Sequence, residues 1–182
     1  MKRLFVIACA AAMLAACSEP KAEDHALTAI KASIAELVGD DAKITVFSFE
    51  KIDSTTFGQE IEHRLGVQKM AEEQNAKYAN KYNAVGKSQS SLKKKALMEK
   101  NQEIAAGLEA IKVRMADSLD VVAYYDYKFS GKAEKEGSVT EFKEYWASVT
   151  PSCEVLNINP QQKGLHTNLG KVIPGYSALL GK

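Results

Sequence analysis

Val121-Val122-Ala123-Tyr124-Tyr125-Asp126-Tyr127-Lys128-Phe129-Ser130 is the stretch whose reading decides the fold. Val121, Ala123, Tyr125, Tyr127 and Phe129 alternate with Val122, Tyr124, Asp126, Lys128 and Ser130. That period of two sets successive side chains on opposite faces of a strand. One face is apolar and aromatic and the other mixed, so the strand needs neighbours and cover. Gly131 to Gly137 reads as a charged turn. Ser138 to Val149 fits a strand or a helix. The turn signal Thr150-Pro151-Ser152 and the short strand Cys153 to Ile158 behind it favour the strand. As a strand it sets Phe142 and Trp146 on one face, with Val139, Tyr145 and Val149 near the other. Three such segments make an antiparallel meander. Asn159 to Lys182 has Gly and Pro punctuation without a period, which predicts a mostly irregular tail folded back on the core.

Upstream the pattern changes from β to α. Between Thr56 and Met115 the chain is rich in Ala, Glu, Lys, Gln and Met and contains no proline. Thr56 with Gln59 fits a capping box. Gly86 and the polar run Lys87-Ser88-Gln89-Ser90-Ser91 interrupt the helical composition. One unbroken helix would extend about 88 Å at ~1.5 Å per residue, which is long for one domain. The reading is therefore an antiparallel hairpin of two helices, about 57–85 and 91–117. Leu97, Ile104 and Ile111 repeat at seven, interleaved with Asn101, Leu108 and Met115, and form its seam. The first arm is more polar, so the tip around Val85 to Lys95 is expected to project from the core.

Further upstream, Lys43 to Ile52 reads as a strand, with Ile44 and Val46 on one face and Phe47 and Phe49 on the other. Before it, Leu27, Ile30, Ile34 and Leu37 give one apolar helix face. Asp24 is placed to open that helix and Gly39 to end it. The expected class is thus α+β: an N-terminal helix, one strand, a long helical hairpin, then the meander, with about four strands in all.

The opening of the chain is an address. Lys2 and Arg3 precede an apolar run, Leu4 to Ala16, that is shorter than the ~20 residues needed to cross a bilayer as a helix. Leu14-Ala15-Ala16-Cys17 resembles the bacterial lipobox at all four positions. That resemblance implies cleavage before Cys17 and diacylation of its sulfur, usually followed by acylation of the new amino group. The expected organisation is a signal peptide at 1–16, a tether with lipidated Cys17 at 17–24, and one domain at 25–182. In the sorting pattern of such lipoproteins, Asp after the cysteine retains the protein in the inner membrane. Ser18 favours the outer membrane instead, on its periplasmic or its surface face.

Without Lys2 and Arg3, 22 basic residues face 23 acidic ones. A net charge near −1 argues against bulk binding to nucleic acid or to an anionic membrane. With Cys9 lost and Cys17 lipidated, only Cys153 remains, so no disulfide within the mature chain is expected. No motif in the sequence specifies a catalytic chemistry. Glu60 and His63 form one Glu-x-x-His pair, but a di-iron bundle needs two. Ser90 to Lys93 contains Ser-x-x-Lys without the other elements of such enzymes. Gly175-Tyr176-Ser177-Ala178-Leu179 lacks the last glycine of a nucleophile elbow, and Cys153 with His166 is a pairing that many spacings would satisfy. No cofactor or metal is implied. The leading expectation is a non-enzymatic envelope lipoprotein, held to a membrane through Cys17, that binds an envelope protein or supports assembly. A second reading uses Tyr124, Tyr125, Tyr127, Tyr145 and Trp146 to stack on a glycan, peptide or small molecule. A third, an envelope hydrolase using Cys153, is the weakest.

Overall fold

A computed structural model describes residues 19–167 and 169–181, with side chains from Glu23 onward. The lipobox and Cys17 lie outside the described residues. The elements are α1 (Glu19–Val38), β1 (Lys43–Thr56), α2 (Phe57–Ala84), α3 (Ser88–Arg114), β2 (Val122–Lys135), β3 (Ser138–Val149), β4 (Val155–Asn159), α4 (Gln162–Leu165) and α5 (Tyr176–Leu179). Short 3₁₀ turns occupy Ala116–Ser118 and Leu169–Val172. The class is α+β, with a four-stranded antiparallel sheet in the order β1-β2-β3-β4.

The chain follows β1 away from the sheet and returns into β2 beside it. The helical hairpin therefore stands where a β-hairpin would have its turn. Thr55 pairs with Tyr124 and Thr56 with Val122 at the point of departure. The Phe57 N–H donates to the Val121 carbonyl at 3.0 Å and the Gly58 N–H to the Leu119 carbonyl at 2.8 Å, which closes the base. The capping box is complete: the Gln59 N–H donates to the Thr56 hydroxyl, and the Gln59 side chain accepts from the Thr56 N–H. The two arms meet at Val85–Lys87, where Gly86 has φ +71° and needs the freedom of a missing Cβ.

α1 covers one face of the sheet. Ala26, Ile30 and Ile34 recur every four residues and are buried against Tyr127, Phe129, Ala133, Phe142, Ala147 and Val149. Burying side chains the size of Ile30, Ile34 and Phe129 contributes about 1.5–3 kcal/mol each. Leu37, expected on that face, is 77% exposed; Val38 continues the seam instead. α1 begins at Glu19, ahead of Asp24, so Glu19–Asp24 form its first turns where composition suggests a tether. Pro20 is tolerated there because the first turn has no carbonyl partner for its missing N–H. Gly39 ends the helix at φ +118°, its N–H donating to the Ala35 carbonyl.

Bulges overturn the simple alternation in two strands. Register shifts between Val46 and Ser48, so Phe47 is the extra residue and stands 64% exposed. The shift carries Phe49 onto the face of Ile44 and Val46, where it stacks on Tyr127 at 4.7 Å. In β3 two residues, Lys143 and Glu144, stand opposite Ser130 alone. Phe142 and Tyr145 therefore share the α1 face, 5.2 Å apart, and Trp146 takes the opposite one. β2 is also longer than the period implies. Gly131–Lys135 are strand rather than turn, because a Cβ on Gly131 would lie 2.4 Å from the Thr45 carbonyl oxygen and glycine admits the neighbour.

The tail after β4 folds back as expected. Leu165, Leu169, Ile173 and Tyr176 are buried, the last two against Ile61, Ile104, Leu108 and Ile111 at the base of the hairpin.

Candidate functional site

The principal concentration of buried polar groups lies where α2, β2, β3 and the tail meet. The first turns of α2 place Glu60 and Arg64 four residues apart on one face, with Glu60 1% and Arg64 8% exposed. Arg64 Nε donates to Glu60 Oε1 at 2.6 Å, and Arg64 Nη2 stands at the same distance from that oxygen. The Tyr124 hydroxyl donates to Glu60 Oε2 at 2.9 Å. Arg64 Nη2 also reaches the tail, donating to the His166 carbonyl at 2.9 Å. His166 Nε2 contacts Asp126 Oδ2 at 2.7 Å, and the Ser148 hydroxyl donates to Asp126 Oδ1. The strand period explains the meeting: Tyr124 and Asp126 are two apart on β2, and Asp126 faces Ser148 across β3.

The electrostatics follow from burial and pairing. Burial pushes the Tyr124 phenol well above its ordinary range, and the Glu60 carboxylate beside it adds to the rise. The hydrogen bond to Asp126 raises His166, against an opposing effect of its partial burial. Among the described residues no buried side-chain nitrogen or oxygen lacks a partner. Such a network is stabilising only when every member is satisfied, and here each member is.

Its order matters for chemistry. Ser148 and His166 hold the two oxygens of one carboxylate, so the histidine does not stand between the serine and the acid. In the Ser-His-acid arrangement the histidine sits at the serine hydroxyl, whereas the Ser148 hydroxyl, fully buried, donates its hydrogen bond to Asp126. The arrangement is suited to clamping the tail onto sheet and hairpin.

The other candidates are dispersed. His63 is exposed while Glu60 is committed to Arg64 and Tyr124. Among the described residues no cluster of three metal-ligating side chains occurs. Ser91 donates to the Ala79 carbonyl at 2.9 Å, joining the two arms. Cys153 sits at φ +65° in the turn closed by its N–H on the Thr150 carbonyl. It lies near enough to Tyr127 to oppose that phenol's ionisation; burial above all, with Glu23 and Tyr125, pushes Tyr127 up to about 12. His166 is held at Asp126.

The five aromatic residues do not form one surface. Tyr124 is 1% exposed and bonded to Glu60; Tyr127 is 2% exposed beneath α1. Tyr125 and Tyr145 are half-buried on the α1 side. Trp146 is half-buried on the other side, with Lys128 Nζ 5.6 Å from its ring centre. The polar network was legible in part: Glu60 and Arg64 have the i, i+4 spacing of an ion pair. Nothing in the sequence joins them to Ser148 or His166. Among the described residues no helix is long and apolar enough to cross a membrane. No protein-family model, curated protein or solved structure matches the chain.

Proposed function

We propose that this protein is a lipid-anchored envelope lipoprotein whose domain is non-enzymatic and acts by engaging a partner or supporting an envelope assembly. The lipobox Leu14-Ala15-Ala16-Cys17 carries the reading, and Ser18 after the cysteine favours the outer membrane. Acyl chains contribute about 0.8 kcal/mol per buried CH₂, and two or three chains hold a protein where one binds reversibly. Because α1 starts at Glu19, the anchor would hold the domain close to the bilayer, not on a long leash. The polar side chains best placed for chemistry bond to one another, which supports a binding role.

Membrane fractionation and mass spectrometry of the full chain test the anchor. A mature N-terminus at Cys17 carrying acyl chains is expected, and Cys17→Ser is expected to stop processing or release the protein. A mature Cys17→Ser protein still bound to membranes would remove the reading. For the partner, cross-linking followed by pull-down from detergent-solubilised membranes is expected to recover a specific envelope protein.

The second reading, a glycan or peptide binder, keeps one observation in its favour. Trp146 lies on the sheet face away from α1, half-buried under Lys128; the neighbouring open groove of about 420 Å³ is lined by Lys128, Ser48, Glu50 and Glu144 and not by the tryptophan. Titrating glycans and peptides while following tryptophan emission tests it, and unchanged emission counts against it.

A further inference from the structure

The near-zero net charge of the chain conceals a separation that the hairpin makes spatial. Residues 74–98 hold Lys77, Lys81, Lys87, Lys93, Lys94 and Lys95 and no aspartate or glutamate; all 23 acidic residues lie elsewhere. The sequence splits these lysines between two segments, and the fold brings the segments together at one end. Ser91 bonds to Ala79 across the arms, and Lys94 Nζ reaches Asn75 at 3.2 Å and lies over the Tyr78 ring at 5.6 Å. Among the described residues no carboxylate pairs with any of the six. α3 opens here without an acidic residue in its first turn and without a side-chain cap; α2 ends at the same apex, so the two helix dipoles offset each other and the positive potential comes from the lysines.

The same end exposes apolar side chains. Val85 at the apex is 61% exposed, Leu92 63%, Leu97 45% and Tyr78 38%. Tyr78 and Tyr82 stack 6.2 Å apart on one arm. Lysines interleaved with exposed Leu, Val and Tyr match a lipid interface, where the apolar side chains enter the headgroup boundary and the ammonium groups meet anionic headgroups. All six cations are lysine and none is arginine. Point charges of this kind suit a diffuse anionic surface better than the paired phosphate contacts at which arginine excels.

We propose that the distal end of the α2/α3 hairpin docks on a leaflet containing anionic phospholipid. The contact is separate from acylation at Cys17 and would persist if that anchor were absent. Each lysine near such a surface multiplies the association constant about fivefold, and the attraction is screened by salt.

The test reads the tip and not the anchor. The full chain carrying Val85→Trp in a Trp146→Phe background is mixed with vesicles of brominated phosphatidylcholine, alone or with added phosphatidylglycerol. The expected result is bromine quenching and a blue shift of the introduced indole only with phosphatidylglycerol, reversed by salt. Lys93→Gln, Lys94→Gln and Lys95→Gln together are expected to lower the docking constant about a hundredfold, with helix content unchanged by circular dichroism. Equal quenching with and without phosphatidylglycerol, or none with either, overturns the proposal. A shift on adding RNA or duplex DNA but not vesicles also overturns it and assigns the tip to nucleic acid.

Discussion

The two ends of the helical hairpin belong to the same pair of helices and behave as different materials. At the base, α2 and α3 pack on the tail and the sheet, and Glu60 and Arg64 are buried in a satisfied network. At the distal end the arms have only each other. There, contacts such as Ser91 to Ala79 hold the pair together, while Val85 and Leu92 face solvent. Burial makes the base intolerant of change, and its absence leaves the distal end free to carry charge and apolar groups for something outside the chain.

The most severe way to break the base is Glu60→Ala. It would leave the Arg64 guanidinium buried without its carboxylate and the Tyr124 hydroxyl without its acceptor. A loss of about 3–5 kcal/mol is expected, since the remaining charge stays desolvated. Urea unfolding followed by circular dichroism measures it; a loss within the range of surface substitutions would show that the network does not hold the base.

A pair of glycine substitutions sharpens the comparison at a smaller scale. A Cβ on Gly131 would meet the Thr45 backbone at 2.4 Å, so Gly131→Ala should cost about 1–3 kcal/mol or shift the β1/β2 register. A Cβ on Gly66, in the helical arm, meets nothing within 4 Å, and Gly66→Ala should stabilise by about 0.8–1 kcal/mol. Thermal unfolding should move in opposite directions for the two, and movement in the same direction would contradict the packing assigned here.

The smallest effect concerns pH. Asp126 raises His166 above its ordinary value of 6.5, so the folded state binds the proton more tightly than the unfolded chain does. The stability this pairing adds is complete below 6.5 and is lost as pH rises through the raised value. With the His166 side chain 45% exposed, solvent screening limits the contribution to about 1 kcal/mol or less. His166→Asn should remove this decline while leaving the rest of the pH profile in place. An unchanged slope would separate the tail from Asp126.

Much of the framework was legible from local pattern. The alternation around Tyr125, the capping box at Thr56 and Gln59, and the polar break at Gly86 depend on neighbouring residues alone, and each appears in the structure. Beyond the Glu60 and Arg64 spacing the polar network was not legible, because Glu60, Asp126, Ser148 and His166 come from four segments that only packing brings together. The five aromatic residues, written as one alternating strand and its neighbour, divide between two faces and two degrees of burial. The bulges at Phe47 and at Lys143-Glu144 decide part of that division, and a bulge is set by the partner strand.

By itself, then, the sequence determined the helix and strand periods and the hairpin's turn, all of which are encoded within a few residues. The tertiary structure decided which side chains are spent on stability and which remain available. It sealed Tyr124 and Tyr127 and closed Glu60, Arg64, Asp126, Ser148 and His166 into a clamp. It also gathered at one end lysines whose charge the whole-chain total cancels. Burial and electrostatic potential are sums over neighbours in space, and those neighbours exist only once the chain has folded.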